Sequence, residues 1–238
     1  MSGTTNGNVR SRAFFPGPTR SLGRSIGVLV VAAIAVGGTT KSKAACWTRD
    51  ALHNGLVSEA VQPQTILSAA SVPVWRKVKF GMYQDVPALR GALDRAGCDM
   101  TDAATAMLDR PTFSLSGART ITDLFAVSVA ELGLSGEAPA LRDIYTRAQE
   151  LGFTLAAAEV GPLLRLQYFA QAIGEFVNVG MRPVALPQGE PRIFVVANGG
   201  NGLLLMDQDA GASARFYPAS RFVFLRQRKD LAKISARR

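Results

Sequence analysis

Three polar residues in the C-terminal half of the chain have types and spacing that could support chemistry. Glu159 directly precedes a predicted turn at Gly161-Pro162. Arg165 and Glu175 follow within a segment that alternates between apolar and polar residues. Two carboxylates beside an arginine could perform acid–base or glycosidic chemistry if burial raised the pKa of one carboxyl group. The three residues could equally form an ion pair on a sheet surface, so they are weak catalytic candidates. If the three residues are catalytic, their side chains should converge in one pocket.

The chain lacks the residues on which most other catalytic and metal chemistry depends. Its only histidine is His53, which lies outside the predicted folded segment, and its two cysteines are Cys46 and Cys98. Histidine-dependent triads and most zinc sites are therefore excluded in that segment, which leaves only carboxylates for a hard cation. No Walker-type phosphate loop occurs in the sequence. We predict no metal and no cofactor, and pairing of the two cysteines stays open.

The net charge of +9 is unevenly distributed along the chain. Residues 1–50 contain seven Lys or Arg and one acidic residue, and residues 229–238 contain four Lys or Arg and one acidic residue. Residues 75–228 contain 16 basic and 15 acidic residues. Binding to phosphates needs a basic face on the folded domain, whereas this excess lies in two tails. The distribution argues against nucleic acid as a partner, except through the tails.

The first 45 residues have the pattern of a secretory signal. Four arginines between positions 10 and 24 precede an apolar run at 26–37, which is too short to span a bilayer comfortably. We therefore predict an exported or periplasmic protein that meets a membrane only through this segment. The alternative is a cytoplasmic protein whose start site has been assigned too early. Residues 46–74 are interpreted as a linker.

Local patterns predict a single α+β domain over residues 75–228, followed by a basic tail at 229–238. The best-defined element is a helix that begins after the N-cap residue Asp85 and ends at Gly97. Thr101 caps a second helix, and a third is predicted after residue 139. Strands are predicted at 75–80, 112–115, 123–130, 192–197, 203–206 and 221–226, with a hairpin from Gly161-Pro162 through residue 181. We expect N-terminal helices followed by an antiparallel β-meander.

Several short motifs resemble those of a family of small uncharacterised bacterial proteins. They are VSVAELG at 127–133, DIYTRAQELG at 143–152, AEVGP at 158–162 and LRLQY at 164–168. The resemblance covers about residues 75–228, and it implies no established activity. The resemblance also implies that members of this family begin near the position of Trp75 and lack a signal segment. Ala156-Ala157 stands where other members have Cys-Pro, so the resemblance supports no thiol role here.

These features predict a non-enzymatic module that binds a protein or a small polar ligand. The first alternative is a carboxylate-based hydrolase or transferase with a site around Glu159. The second is nucleic-acid binding through the basic tails, which predicts an affinity that falls steeply with salt concentration.

Overall fold

The computed structural model describes Cys46 and residues 64–226. The predicted signal segment 1–45, His53 and the basic tail 229–238 lie outside the described residues. Within the described part, the helices are α1 (Val86–Ala96), α2 (Asp102–Leu108), α3 (Leu141–Glu150) and α4 (Val160–Arg165), with a 3₁₀ turn at Ala69–Ser71. The strands are β1 (Arg76–Lys79), β2 (Asp99–Met100), β3 (Ile121–Ser128), β4 (Phe153–Thr154), β5 (Phe176–Val179), β6 (Val184–Ala185), β7 (Pro191–Asn198), β8 (Leu203–Asp209) and β9 (Arg221–Arg226). Among these helices, none has the length and apolar character needed to cross a membrane.

The first two helices form where the local sequence predicts them. Asp85 accepts a hydrogen bond from the backbone N–H of Ala88 at 2.7 Å and caps α1. Gly97 ends the helix in the left-handed conformation with a φ of 66°, which glycine adopts without steric cost. Thr101 caps α2 in the same way, through the N–H of Ala104. Both predictions are confirmed. The sequence could predict these helices because their capping contacts join residues that are close in the chain.

All nine strands belong to one mixed sheet. Its main path runs in the order β1-β3-β9-β5-β7-β8-β2, while β4 pairs with β9 and β6 pairs with β7. Most neighbouring strands are antiparallel, but β5 runs parallel to β9 and β2 runs parallel to β8. The last strand therefore lies in the middle of the sheet, where Phe222, Val223 and Phe224 are fully buried.

The expected α+β architecture, with helices first and an antiparallel meander after them, is wrong. The strands β1 and β3 belong to the same sheet as the later strands, and the helices are interspersed among them. The hairpin of β7 and β8 forms as predicted, but β9 does not lie beside β8. It pairs with β3 on one side and β5 on the other. The prediction of a meander assumed that strands adjacent in the sequence are also adjacent in the sheet, which is a tendency and not a rule.

The hairpin predicted from Gly161-Pro162 through residue 181 does not form, because its first part is helix α4 and its second part contains β5, which pairs with β7 and β9. The N–H of Leu163 donates to the carbonyl of Glu159, as in a helical turn. All six residues of α4 are buried, so the helix has no polar face that would reveal its period. Gly161 is also needed for packing, since a Cβ there would lie 2.7 Å from the Cβ of Phe194.

The strand predicted at 112–115 is also wrong, because this segment is a loop. The N–H of Phe113 donates to the carbonyl of Arg110 in a turn instead of pairing with a described strand. The ring of Phe113 packs edge-on against that of Phe194, with centroids 6.2 Å apart. The apolar residue Phe113 in this segment is thus explained by burial of its side chain and not by a strand.

The residues before β1 pack against the sheet and helices. Cys46 is fully buried and forms a disulfide with Cys98, which follows α1. In the last part of the predicted linker, the N–H of Ala69 donates to the carbonyl of Leu151 at 2.7 Å. Contacts of this kind attach residues 64–74 to the rest of the described chain.

Candidate functional site

An open cleft of about 1160 Å³ lies in the described part of the chain. Three segments form its walls: the loop after α2, the connection from β4 to α4, and the residues around β6. Hydroxyl and alanine side chains make up much of the lining, and Glu159, Arg110 and Arg182 supply its charges. The volume is comparable to that of pockets that hold small molecules.

The connection from β4 to α4 is held against the end of β5. Ala156 forms a parallel bridge with Met181, and its N–H donates to the carbonyl of Gly180 at 2.7 Å. Glycine is required at position 180 because a Cβ would lie 2.3 Å from Cε1 of Phe224. This close contact between the backbone at Gly180 and an aromatic ring of β9 helps to position the connection from β4 to α4, which carries Glu159.

Glu159 is the most unusual residue of the cleft. Its relative exposure is only 4%, and its Oε2 accepts a hydrogen bond from the backbone N–H of Ser116 at 2.9 Å. Among the described residues, no group donates to Oε1 and no Lys or Arg lies within ion-pair distance. Burial raises the pKa of Glu159 above its usual value, and the Ser116 hydrogen bond offsets this only in part.

The two arginines of the cleft also lack ion-pair partners among the described acidic residues. Arg182 is exposed, Arg110 is half-buried, and neither is within 4 Å of a described carboxylate. Across residues 64–226 and Cys46, no three His, Cys, Asp or Glu side chains come together as potential metal ligands. The charges of the cleft are therefore not neutralised by ion pairs with the described residues.

Arg165 lies at the other end of α4, in a buried polar cluster formed with Tyr168, Gln171 and Glu175. Its side chain is fully buried and donates to Oε1 of Gln171 at 2.6 Å, to the carbonyl of Ala197 at 3.1 Å and to the carbonyl of Tyr168. Burial lowers the pKa of Arg165 to about 10, while Tyr168 and Glu175 favour its charged form. Arg165 thus remains a cation at neutral pH and binds α4 to β7.

Glu175 belongs to the same buried polar cluster and does not line the cleft. Its Oε2 accepts from the hydroxyl of Tyr168, and its Oε1 accepts from Nη1 of Arg221 at 2.9 Å. The backbone carbonyl of Glu175 accepts from the side-chain amide of Gln171 at 3.0 Å. Both carboxylate oxygens therefore have partners within the protein.

The structure divides the three candidates of the sequence between two places. Arg165 and Glu175 share the buried polar cluster, whereas Glu159 lines the cleft without them. The sequence did not identify Ser116, which donates to Glu159, or Arg110 and Arg182, which line the same cleft. The only local signal was the alternation of hydroxyl residues at 112, 114 and 116, of which the first two fell within the segment predicted as a strand.

Comparison with known proteins finds no family model, no curated protein and no solved structure that matches this chain. The resemblance to a family of small uncharacterised bacterial proteins therefore stays a prediction.

Proposed function

We propose that the described part of the chain is a non-enzymatic binding module whose cleft takes a small polar ligand. The observation that carries the proposal is Glu159, whose carboxylate is almost fully buried with a described donor for only one oxygen. Its Oε1 has no donor within the described protein and stays in contact with the solvent of the cleft, so it is available to a ligand. A ligand that donates to Glu159 would supply the missing partner.

The composition of the cleft favours binding over two-carboxylate chemistry. Glu159 is the only acidic residue among those that line the cleft. Glycosidic and related acid–base mechanisms use two carboxylates on either side of the reacting bond. The other candidate, Glu175, interacts with Tyr168 and Arg221 outside the cleft. A cleft lined by one carboxylate and two arginines is better suited to recognition than to two-carboxylate hydrolysis or transfer.

The cleft can be blocked without altering Glu159. Ala157 lines the cleft with an exposed side chain, so Ala157→Trp should fill the space and leave the core intact. The matched control is Ala170→Trp, at an exposed alanine in a turn outside the cleft. Each protein is incubated with a low-molecular-weight bacterial extract and desalted, and the retained compounds are identified by mass spectrometry.

We expect the wild type and Ala170→Trp to retain the same compounds and Ala157→Trp to lose them. Equal retention by Ala157→Trp would place the binding elsewhere. Retention of nothing by the wild type would contradict a small-molecule function for the cleft.

We also propose that the protein is exported. The basic and apolar pattern of residues 1–45 predicts export, and the disulfide between Cys46 and Cys98 is consistent with it, because such bonds persist mainly in oxidising compartments. The full chain, produced in a bacterial host, should appear in the periplasm with its N-terminal signal segment removed by cleavage within residues 35–45. Its cysteines should react with an alkylating agent only after reduction, as measured by intact mass. An uncleaved cytosolic product with two reactive thiols would contradict export.

A further inference from the structure

The carboxylate of Glu159 restricts the chemistry of the ligand. A ligand that enters the cleft displaces the water that still reaches this group. A carboxylate cut off from water without a counter-charge is energetically unfavourable, and no described Lys or Arg is close enough to provide one. The most favourable ligand group at this position is therefore positively charged and rich in hydrogen-bond donors, as an ammonium group is.

The two arginines add a second requirement. Arg110 and Arg182 line the same cleft and would repel a ligand that carried positive charge alone. A ligand with negative charge alone would instead meet the carboxylate of Glu159. Guanidinium groups bind carboxylates through two parallel hydrogen bonds, which gives both strength and orientation. A molecule with both charges satisfies both sides of the cleft.

We propose that the ligand is a small aminocarboxylate, whose ammonium group pairs with Glu159 and whose carboxylate pairs with Arg110 or Arg182. This inference rests on the proposed function, because it names the class of ligand for the same cleft. Ser116 contributes by holding Oε2 of Glu159 through its backbone N–H, which leaves Oε1 for the ammonium group.

The probes are short compounds that differ by one charged group. Glycine, β-alanine, γ-aminobutyrate and δ-aminovalerate carry both charges at increasing separation. For γ-aminobutyrate the matched compounds are butyrate, butylamine and γ-hydroxybutyrate, which lack the ammonium group, the carboxylate, and the positive charge respectively. Binding to the full chain is followed by NMR titration of the backbone amides of Ser116, Glu159 and Arg182, with a dissociation constant for each compound.

Two kinds of variant test the assigned contacts. Glu159→Gln keeps the shape of the side chain and an oxygen that can accept from Ser116, but it removes the charge. We expect it to weaken aminocarboxylate binding roughly tenfold or more, as loss of a charge-assisted hydrogen bond does. Arg110→Gln and Arg182→Gln identify which arginine binds the carboxylate. The matched control is Glu137→Gln, at an exposed glutamate away from the cleft, which should bind as the wild type does.

The outcomes separate this inference from the proposed function. Both proposals are supported if an aminocarboxylate shifts the NMR signals of the cleft amides and binds more weakly to Glu159→Gln than to the wild type. Equal affinity for butyrate or γ-hydroxybutyrate would overturn the aminocarboxylate assignment but leave a cleft that binds ligands. The aminocarboxylate assignment is also wrong if no probe binds and the compounds that the wild type retains from the extract, and that Ala157→Trp loses, do not carry both an amine and a carboxylate. If neither the probes nor the extract bind, both proposals fail.

Discussion

Two buried charges lie at the two ends of helix α4, and the protein surrounds them in opposite ways. Arg165, the last residue of the helix, donates to one side chain and two backbone carbonyls and lies in the cluster that contains Glu175. Glu159, just before the helix, accepts one described hydrogen bond and borders an open cleft. The two Nη atoms of Arg165 have acceptors within the protein, although its buried Nε has none among the described residues, whereas Glu159 keeps one oxygen open to the cleft.

We infer from this difference a structural role for Arg165 and a ligand-binding role for Glu159. A buried charge with internal partners contributes to a unique arrangement of the chain, because removing either side leaves the other unsatisfied. A largely buried carboxylate without a counter-charge lowers stability, and we propose that a ligand supplies that charge to Glu159. The residue types of Arg165, Glu175 and Glu159 do not distinguish these roles, whereas their surroundings do.

The largest effect is expected at Arg165. Arg165→Met should lower the free energy of unfolding by about 3–5 kcal/mol, because it leaves the oxygens of Gln171, Ala197 and Tyr168 buried without their donor. Urea unfolding measures the change. The control is Arg182→Met in the cleft, which should cost less than about 0.5 kcal/mol because that side chain is exposed. Equal effects of the two variants would remove the distinction between the two regions.

A smaller loss is expected at Glu175. Glu175→Gln keeps an acceptor for the Tyr168 hydroxyl but loses the charge that faces Arg221. The side chain of Arg221 is 36% exposed, so solvent screens the pair, and we expect a cost of about 1 kcal/mol in urea unfolding. Glu150→Gln breaks the more exposed pair with Arg147 and should cost less. A larger effect at Glu150 would show that burial does not determine the strength of these pairs.

The smallest effect, with the opposite sign, is expected at Glu159. Because the pKa of Glu159 is raised by folding, the folded state favours the protonated carboxyl group. Glu159 should therefore lower the stability of the wild type as the pH rises from the unfolded pKa of a glutamate through the folded pKa, and Glu159→Gln should lack this contribution. Melting temperatures of both proteins, measured across this pH range without ligand, should shift in favour of the variant as the pH rises. A shift in favour of the wild type would mean that Glu159 has a stabilising partner within the protein.

The elements that the sequence predicted well depend on contacts between residues close in the chain. Helix α1 follows from Asp85, which caps its start, and Gly97, which ends it. The hairpin of β7 and β8 follows from a glycine-rich turn between two apolar runs. In these cases the hydrogen bonds that define the element are local, so the pattern of residue types is sufficient.

The elements that the sequence predicted wrongly depend on distant contacts. Helix α4 is buried on all sides, so an apparent alternation of apolar and polar residues concealed its helical period. Strand β9 carries an apolar pattern that identifies it as a buried strand, but the pattern does not specify its neighbours. Its place between β3 and β5 arises from the packing of residues such as Phe222 and Phe224 within the whole sheet.

The amino-acid sequence was sufficient to establish the chemical inventory: one histidine outside the predicted folded segment, two cysteines, and carboxylates as the main proton-handling groups. It was also sufficient to place positive charge in the two tails. The tertiary structure alone decided which carboxylate borders a cleft, because the loop that carries Arg110 and Ser116 and the segment that carries Arg182 come together with Glu159 only in the folded chain. Residue types are properties of single positions, whereas desolvation and hydrogen-bond satisfaction arise only when distant segments pack together.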